Sequence, residues 1–183
     1  MKELSLNVLD ITYNSIKANA SVIEITLSES VKKNLVEILI KDNGCGMTEE
    51  FVARVTDPFV TSRTTRKVGL GIPLFKQSAE DTGGTFWIKS KVGVGTSTYA
   101  SFGLNHLDRA PIGDMSSTMI SLIQANDKIR FIYRHSTDIG EFILDTEELV
   151  AQLGDVPLSE PAVLSWISEY INENLEDIQG GKI

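Results

Sequence analysis

One cysteine in 183 residues excludes an intramolecular disulfide, and a lone thiol, Cys45, fits a reducing compartment. No apolar stretch approaches the roughly 20 residues that span a bilayer. The opening "MKELSLNVLD" lacks the continuous apolar core of a secretion signal. Repeats and low-complexity segments are absent. Positive charge is scarce: 17 Lys and Arg stand against 25 Asp and Glu, for a net charge of −8. That balance argues against nucleic acid or an anionic membrane as the main partner, although a local basic cluster can still hold a small anion. The expected location is cytoplasmic. What remains is ordinary globular composition, 42% apolar and 23% charged, in a chain long enough for one substantial domain with a small appendage.

A helical pattern runs from Met1 to about Asn19, with Leu4, Val8, Ile11 and Ala18 in one apolar band and Leu9, Tyr13 and Ile16 in another. Asp10, Asn14 and Lys17 lie between the bands on a stripe about 60° wide. On helix geometry alone that stripe is either a solvated surface or a site. Strands are expected over 22–27 and 35–42 from alternation and β-branching. A short helix capped by Thr48 follows, with Glu49 and Glu50 in its first turn. Another begins at Gly71 or Ile72, carries Pro73 in its first turn and stops at Gly83. "TFWIKSKVGVGTSTYASFGL" reads as a hairpin around Gly93–Gly95. After Leu104 come a helix near Met115–Ala125, a second hairpin, and acidic helices from Thr146 and Ser159, the last with Val163, Trp166, Ile167, Tyr170 and Ile171 on its apolar face. That face is expected to bury against the rest of the protein.

Two glycine elements carry chemistry. In "DNGCGM", an aspartate at a strand end is followed by glycines two and four residues on. Backbone can then pass close to a flat ligand while one carboxylate accepts a hydrogen bond. Standing alone, the hexamer is equally a good turn. "VGLGIPLF" opens a helix with two glycines, and free N–H groups at a helix start favour an anion. Between them, "DPFVTSRTTRK" places Thr61, Ser62, Arg63, Arg66 and Lys67 in a loop suited to close over phosphates, or simply to be solvated.

The ordered set "DITYNSIKANAS", "DNGCGM", "DPFVTSR", "GLGIPL" and "GVGTSTYASFGL" resembles the N box, first glycine box, F box, second glycine box and closing strand of the GHKL ATPase superfamily, which includes gyrase, Hsp90, the MutL mismatch-repair proteins and sensor histidine kinases. The resemblance covers residues 1–104, read as a histidine-kinase-like ATP-binding domain, and leaves 105–183 as an accessory region. It implies an α/β two-layer sandwich, with a mixed, mostly antiparallel sheet and helices on one face, plus a C-terminal αββαα extension. It further implies ATP and Mg²⁺ as cofactors. Asn14 matches the metal-coordinating asparagine, and Asp10 the position of the residue that activates water. Lys17 matches a phosphate-contacting lysine. Asp42 matches the acceptor of the adenine amine, supported through water by Thr96. Gly44, Gly46, Gly69 and Gly71 match the backbone-approach glycines, with Met47 and Leu70 beside them. Arg63 matches the basic residue ending the F box, with Thr61, Arg66 and Lys67 completing the ATP-binding set.

Asp10 is one methylene shorter than the glutamate of hydrolysing members, which favours ATP binding over fast hydrolysis. Nothing precedes the first helix where a sensor kinase carries its sensor and dimerising hairpin, so the chain is expected to need a partner protein; a homodimer is also allowed. "NHLDRAPIG" has the spacing of a phosphoacceptor box, but it follows a strand and contains Gly113, so His106 is expected to be a linker residue. His135, at a strand end beside Arg134, is expected to be a hairpin residue. The function expected is a phosphotransferase or slow ATPase acting with a partner, the alternative being a nucleotide-gated partner switch without significant turnover.

Overall fold

The computed structural model describes residues 3–57 and 70–180. In chain order the elements are α1 (Leu4–Lys17), β1 (Val22–Ser30), β2 (Leu35–Asp42), α2 (Glu49–Val55), α3 (Gly71–Asp81), β3 (Phe86–Lys91), β4 (Gly95–Gly103), α4 (Met115–Ala125), β5 (Arg130–Ser136), β6 (Glu141–Asp145), α5 (Thr146–Leu153) and α6 (Pro161–Ile178). One six-stranded sheet runs β3-β4-β2-β1-β5-β6. All neighbours are antiparallel except β1 and β5, which pair in parallel from Val22 with Arg130 to Ser28 with Ser136. The mixed, mostly antiparallel α/β sandwich is therefore present, and the hairpin beyond residue 104 continues the same sheet.

The period-2 pattern decides which face the helices cover. Ile23, Ile25 and Leu27 of β1, Val36, Ile38 and Ile40 of β2, and Phe131 and Tyr133 of β5 are all buried on it. From above come Leu4, Val8 and Ile11 of α1, Phe75 and Ala79 of α3, Met119, Leu122 and Ile123 of α4, and Ile167 and Ile171 of α6. Helix α1 has no side-chain N-cap. Its first amides, on Leu4 and Ser5, donate instead to the carbonyls of Pro111 and Ile112 at 2.9 and 2.8 Å. The segment after β4 thus satisfies groups that a helix start otherwise leaves to solvent.

One expectation for the C-terminal part needs correcting. Val163, Ile167 and Ile171 are buried, but Trp166 and Tyr170 are 45% and 36% exposed. They stack on each other at 5.4 Å and 10°, with Phe142 edge-on to Tyr170. Helix α6 meets α4 and β6 along a stripe narrower than its apolar arc, and the two rings at its margin shield one another. His135 lies in the β5–β6 hairpin, as expected, and is 1% exposed on the covered face. Its Nε2 lies 2.7 Å from Glu29 Oε1 and its Nδ1 2.7 Å from the Tyr133 hydroxyl. Burial, with the Glu29 charge, pushes the Tyr133 phenol well above its ordinary value. A protonated phenol donating to Nδ1 and an Nε2–H donating to Glu29 satisfies all three groups. His106, by contrast, sits in an exposed turn where its Nδ1 accepts from the Asp108 amide.

The β3–β4 turn shows where backbone geometry is decisive. Gly95 has φ +135°, and a Cβ there would run into the Asp42 carbonyl oxygen of β2. Gly95→Ala is expected to destabilise the fold by about 3 kcal/mol or more, through strain and a broken strand contact. Gly93→Ala, where the space is open, should cost about 1–2 kcal/mol from its positive φ alone. Urea unfolding of both variants checks the difference; equal midpoints would contradict it.

Candidate nucleotide site

The cavity lies between α1, the Asp42 turn, α2 and the starts of α3 and β4. Its volume is about 530 Å³, within the range of small-molecule sites. Helical phase explains how α1 contributes: Ile11 and Ser15 point inward and are buried, Asn14 is half-buried beside them, and Lys17 is exposed at the mouth.

Asp42 ends β2 and is held at both oxygens. The Ser15 hydroxyl donates to Oδ2 at 2.6 Å, and the Gly44 amide donates to Oδ1 at 2.8 Å. The turn after it is fixed on every side. Cys45 donates its amide to the Ala18 carbonyl and accepts from the Gly93 amide. The Met47 amide donates to Ser90 Oγ at 2.8 Å, and Ser90 Oγ is 2.8 Å from Thr96 Oγ1. Asn43 Oδ1 accepts from the amides of Ser21 and Val22. At Gly44 a Cβ would sit 2.8 Å from the Cβ and the carbonyl oxygen of Ala18, and at Gly46 it would strike the Lys91 carbonyl. The two glycines are therefore required first by close backbone packing.

Of the residues singled out in the sequence, Asn14, Lys17, Asp42, Gly46, Met47 and Thr96 line this one cavity. Gly44 stands one step behind, holding Asp42. Asp10 is exposed and lies against the first turn of α3, where a Cβ on Gly71 would be 3.3 Å from the Asp10 Cβ. Leu70 is the N-cap residue of α3 and is 57% exposed, outside the cavity wall. Thr61, Arg63, Arg66, Lys67 and Gly69 lie outside the described residues. Sequence reasoning missed Ser15, Thr98, Phe51, Val55 and Ile72, which also line the wall. Ser15 had a signal: a hydroxyl on the inward phase of α1, where an apolar residue would otherwise be placed.

The wall joins apolar side chains, among them Ile11, Met47, Phe51, Val55 and Ile72, to the fixed Asp42 carboxylate, a combination that suits a flat base carrying an amine. The Asn14 carboxamide and the Lys17 ammonium line the same cavity. Helix α3 has no side-chain cap and no acidic residue in its first turn among the described residues, a helix start compatible with an anion. No group of three or more His, Cys, Asp or Glu that could hold a metal occurs among the described residues. A hard cation at Asn14 would thus need most of its oxygen ligands from a phosphate ligand and water, the usual arrangement for Mg²⁺. No helix of the described residues is long and apolar enough to cross a membrane.

The profile of the histidine kinase-, DNA gyrase B- and HSP90-like ATPases matches residues 2–106. A putative sensor protein of Shewanella frigidimarina (strain NCIMB 400) is 29% identical over 109 residues, covering 59% of this chain and 16% of that protein. A probable C4-dicarboxylate sensor kinase of Bacillus subtilis (strain 168) is 30% identical over 86 residues, covering 47% of this chain and 16% of the relative. The chain thus spans about a sixth of the length of these relatives. Among solved structures, the N-terminal domain of a DNA repair protein superposes with a TM-score of 0.53 at 16% identity, over 78% of this chain and 52% of that one.

Proposed function

The chain belongs to the family of histidine kinase-, DNA gyrase B- and HSP90-like ATPases, and from that premise we propose that it binds Mg²⁺-ATP in the α1–α3 cavity and works with a partner protein as a phosphotransferase or slow ATPase. The observation that carries this is Asp42: a carboxylate fixed by Ser15 and Gly44 in the wall of a cavity otherwise rich in apolar side chains. With both oxygens oriented, it can accept the adenine amine without reorganising. Thr96, tied to Ser90, stands beside it to support the base edge through water.

Towards the phosphates, Asn14 offers a carboxamide oxygen to Mg²⁺, which when bound neutralises charge on the triphosphate oxygens. Lys17 at the cavity mouth supplies a point charge to the same group. Thr61, Arg63, Arg66, Lys67, Gly69, Leu70 and Gly71 belong to the proposed phosphate-side set on the motif match. Asp10, on the next turn of α1 from Asn14, is the candidate for orienting water. Its short side chain and exposed position favour slow turnover, and transfer to a partner's histidine or serine needs no water. The relatives named as sensor proteins and kinases lend this direction. The second proposal, a nucleotide-gated partner switch, follows from the same cavity if ATP only orders the phosphate-side segment.

The test is a pull-down with and without ATP, followed by incubation with γ-labelled ATP. Label on a captured partner is expected for a phosphotransferase; ATP-dependent capture with no label and no phosphate release would favour the switch. Asp10→Asn should abolish any ATP hydrolysis while leaving ATP affinity within about twofold, since only the turnover step uses that carboxylate. Unchanged turnover would remove Asp10 from the mechanism.

A further inference from the structure

The Asp42 carboxylate leaves one recognition problem unsolved. Adenine presents an exocyclic amine beside a ring-nitrogen acceptor, and cytosine presents the same donor–acceptor pair. A carboxylate that reads the amine therefore accepts either base. Preference for the larger ring has to come from a surface that a purine covers and a pyrimidine covers less.

Phe51 is placed to be that surface. It lies in the first turn of α2, the helix that follows the Asp42 turn and packs against β3. It is 39% exposed and lines the cavity together with Val55, four residues on and on the same helix face. Val55 belongs to the buried core, but Phe51 does not, and its ring pairs with no other aromatic among the described residues. The backbone that carries the ring is fixed: the Phe51 amide donates to the Thr48 cap at 3.2 Å, and the amide of Met47, just before that cap, donates to Ser90. Through Ser90 this anchoring reaches Thr96, on the base side of the cavity. A part-exposed aromatic outside the core cluster, on a fixed helix start and lining the same cavity as Asp42, suits a stacking platform.

We infer that Phe51 stacks on the nucleotide base and sets a preference for ATP over CTP, an inference that rests on the base-pocket assignment above. Stacking on an aromatic is sequence-tolerant but grows with the ring area covered, so its loss falls harder on the purine.

The experiment measures Kd for Mg²⁺-ATP and Mg²⁺-CTP by calorimetry on the full chain. Phe51→Ala is expected to weaken ATP about tenfold and CTP much less, so that the ATP:CTP preference falls. Phe51→Leu, which keeps bulk and helix but loses the flat face, should move the ratio the same way even if the alanine variant folds poorly. Phe51→Trp should retain ATP binding, and its emission, measured as a difference from the wild type with its two tryptophans, should change when ATP is added. Equal losses for the two nucleotides, or none, with Phe51→Ala and Phe51→Leu would overturn the inference. Asp42→Asn, measured alongside, should weaken both nucleotides. If it does and the Phe51 variants leave the ratio unchanged, stacking alone fails; if Asp42→Asn also leaves both affinities unchanged, the base-pocket assignment falls with it.

Discussion

A chain ended after Leu104 is expected to lack a cooperative unfolding transition, although it retains every nucleotide-binding motif. Cutting there removes β5, turning β1 from an inner strand into an edge along Val22–Ser28. It removes the carbonyls of Pro111 and Ile112 from the first amides of α1, and His135 from Glu29. Met115, Met119, Leu122, Ile123, Phe131 and Tyr133, each at most 2% exposed, leave the core together. At roughly 1.5–3 kcal/mol for each of these six apolar side chains, the loss is comparable to the about 5–15 kcal/mol by which a domain is stable. Circular dichroism during heating checks this. A sharp transition in the shortened chain would show that residues 3–104 are self-sufficient.

Asp42→Asn is expected to raise the Kd for ATP by about ten- to a hundredfold, the effect of a lost hydrogen bond to a charged group. The substitution does more than remove charge. Ser15 and Gly44 each donate to a separate oxygen of Asp42, and a carboxamide offers only one. One donor is left facing an NH₂ group, and that NH₂ also opposes the adenine amine. A triphosphate of unsubstituted purine, which carries no exocyclic amine, should lose far less affinity. Calorimetry with both nucleotides decides: equal losses would mean that Asp42 acts through the shape of its turn rather than by meeting the base.

Much of this architecture was legible in the sequence because local signals agree with the fold. Thr48 caps α2 and Asp114 caps α4 through their side chains. The glycine turn after Asp42 and the hairpin at Gly93–Gly95 sit where the residues demand them. The parallel pairing of β1 with β5 was not legible, because nothing near Val22 or Arg130 encodes a contact made across the intervening chain. His135 sits in the expected hairpin, and its burial follows from "RFIYRHS", where the period-2 rule puts it in phase with Phe131 and Tyr133. Glu29, its partner, lies too far away in sequence to be guessed. Phe51 was overlooked because a short helix with an exposed aromatic has no periodic signature of its own.

The β1–β5 pairing also bears on how the molecule is made. Val22 and Arg130 are neighbours in the sheet yet 108 positions apart in the chain. During synthesis the whole motif set, including both glycine turns and the strand carrying Thr96, emerges before the strand that closes β1. Loop-closure entropy of that span has to be overcome before the sheet becomes continuous, which makes folding slow. The nascent chain meanwhile presents β1 as an open edge, the feature that invites pairing with another chain. Competence to bind nucleotide therefore waits for β5, which is made after every binding motif.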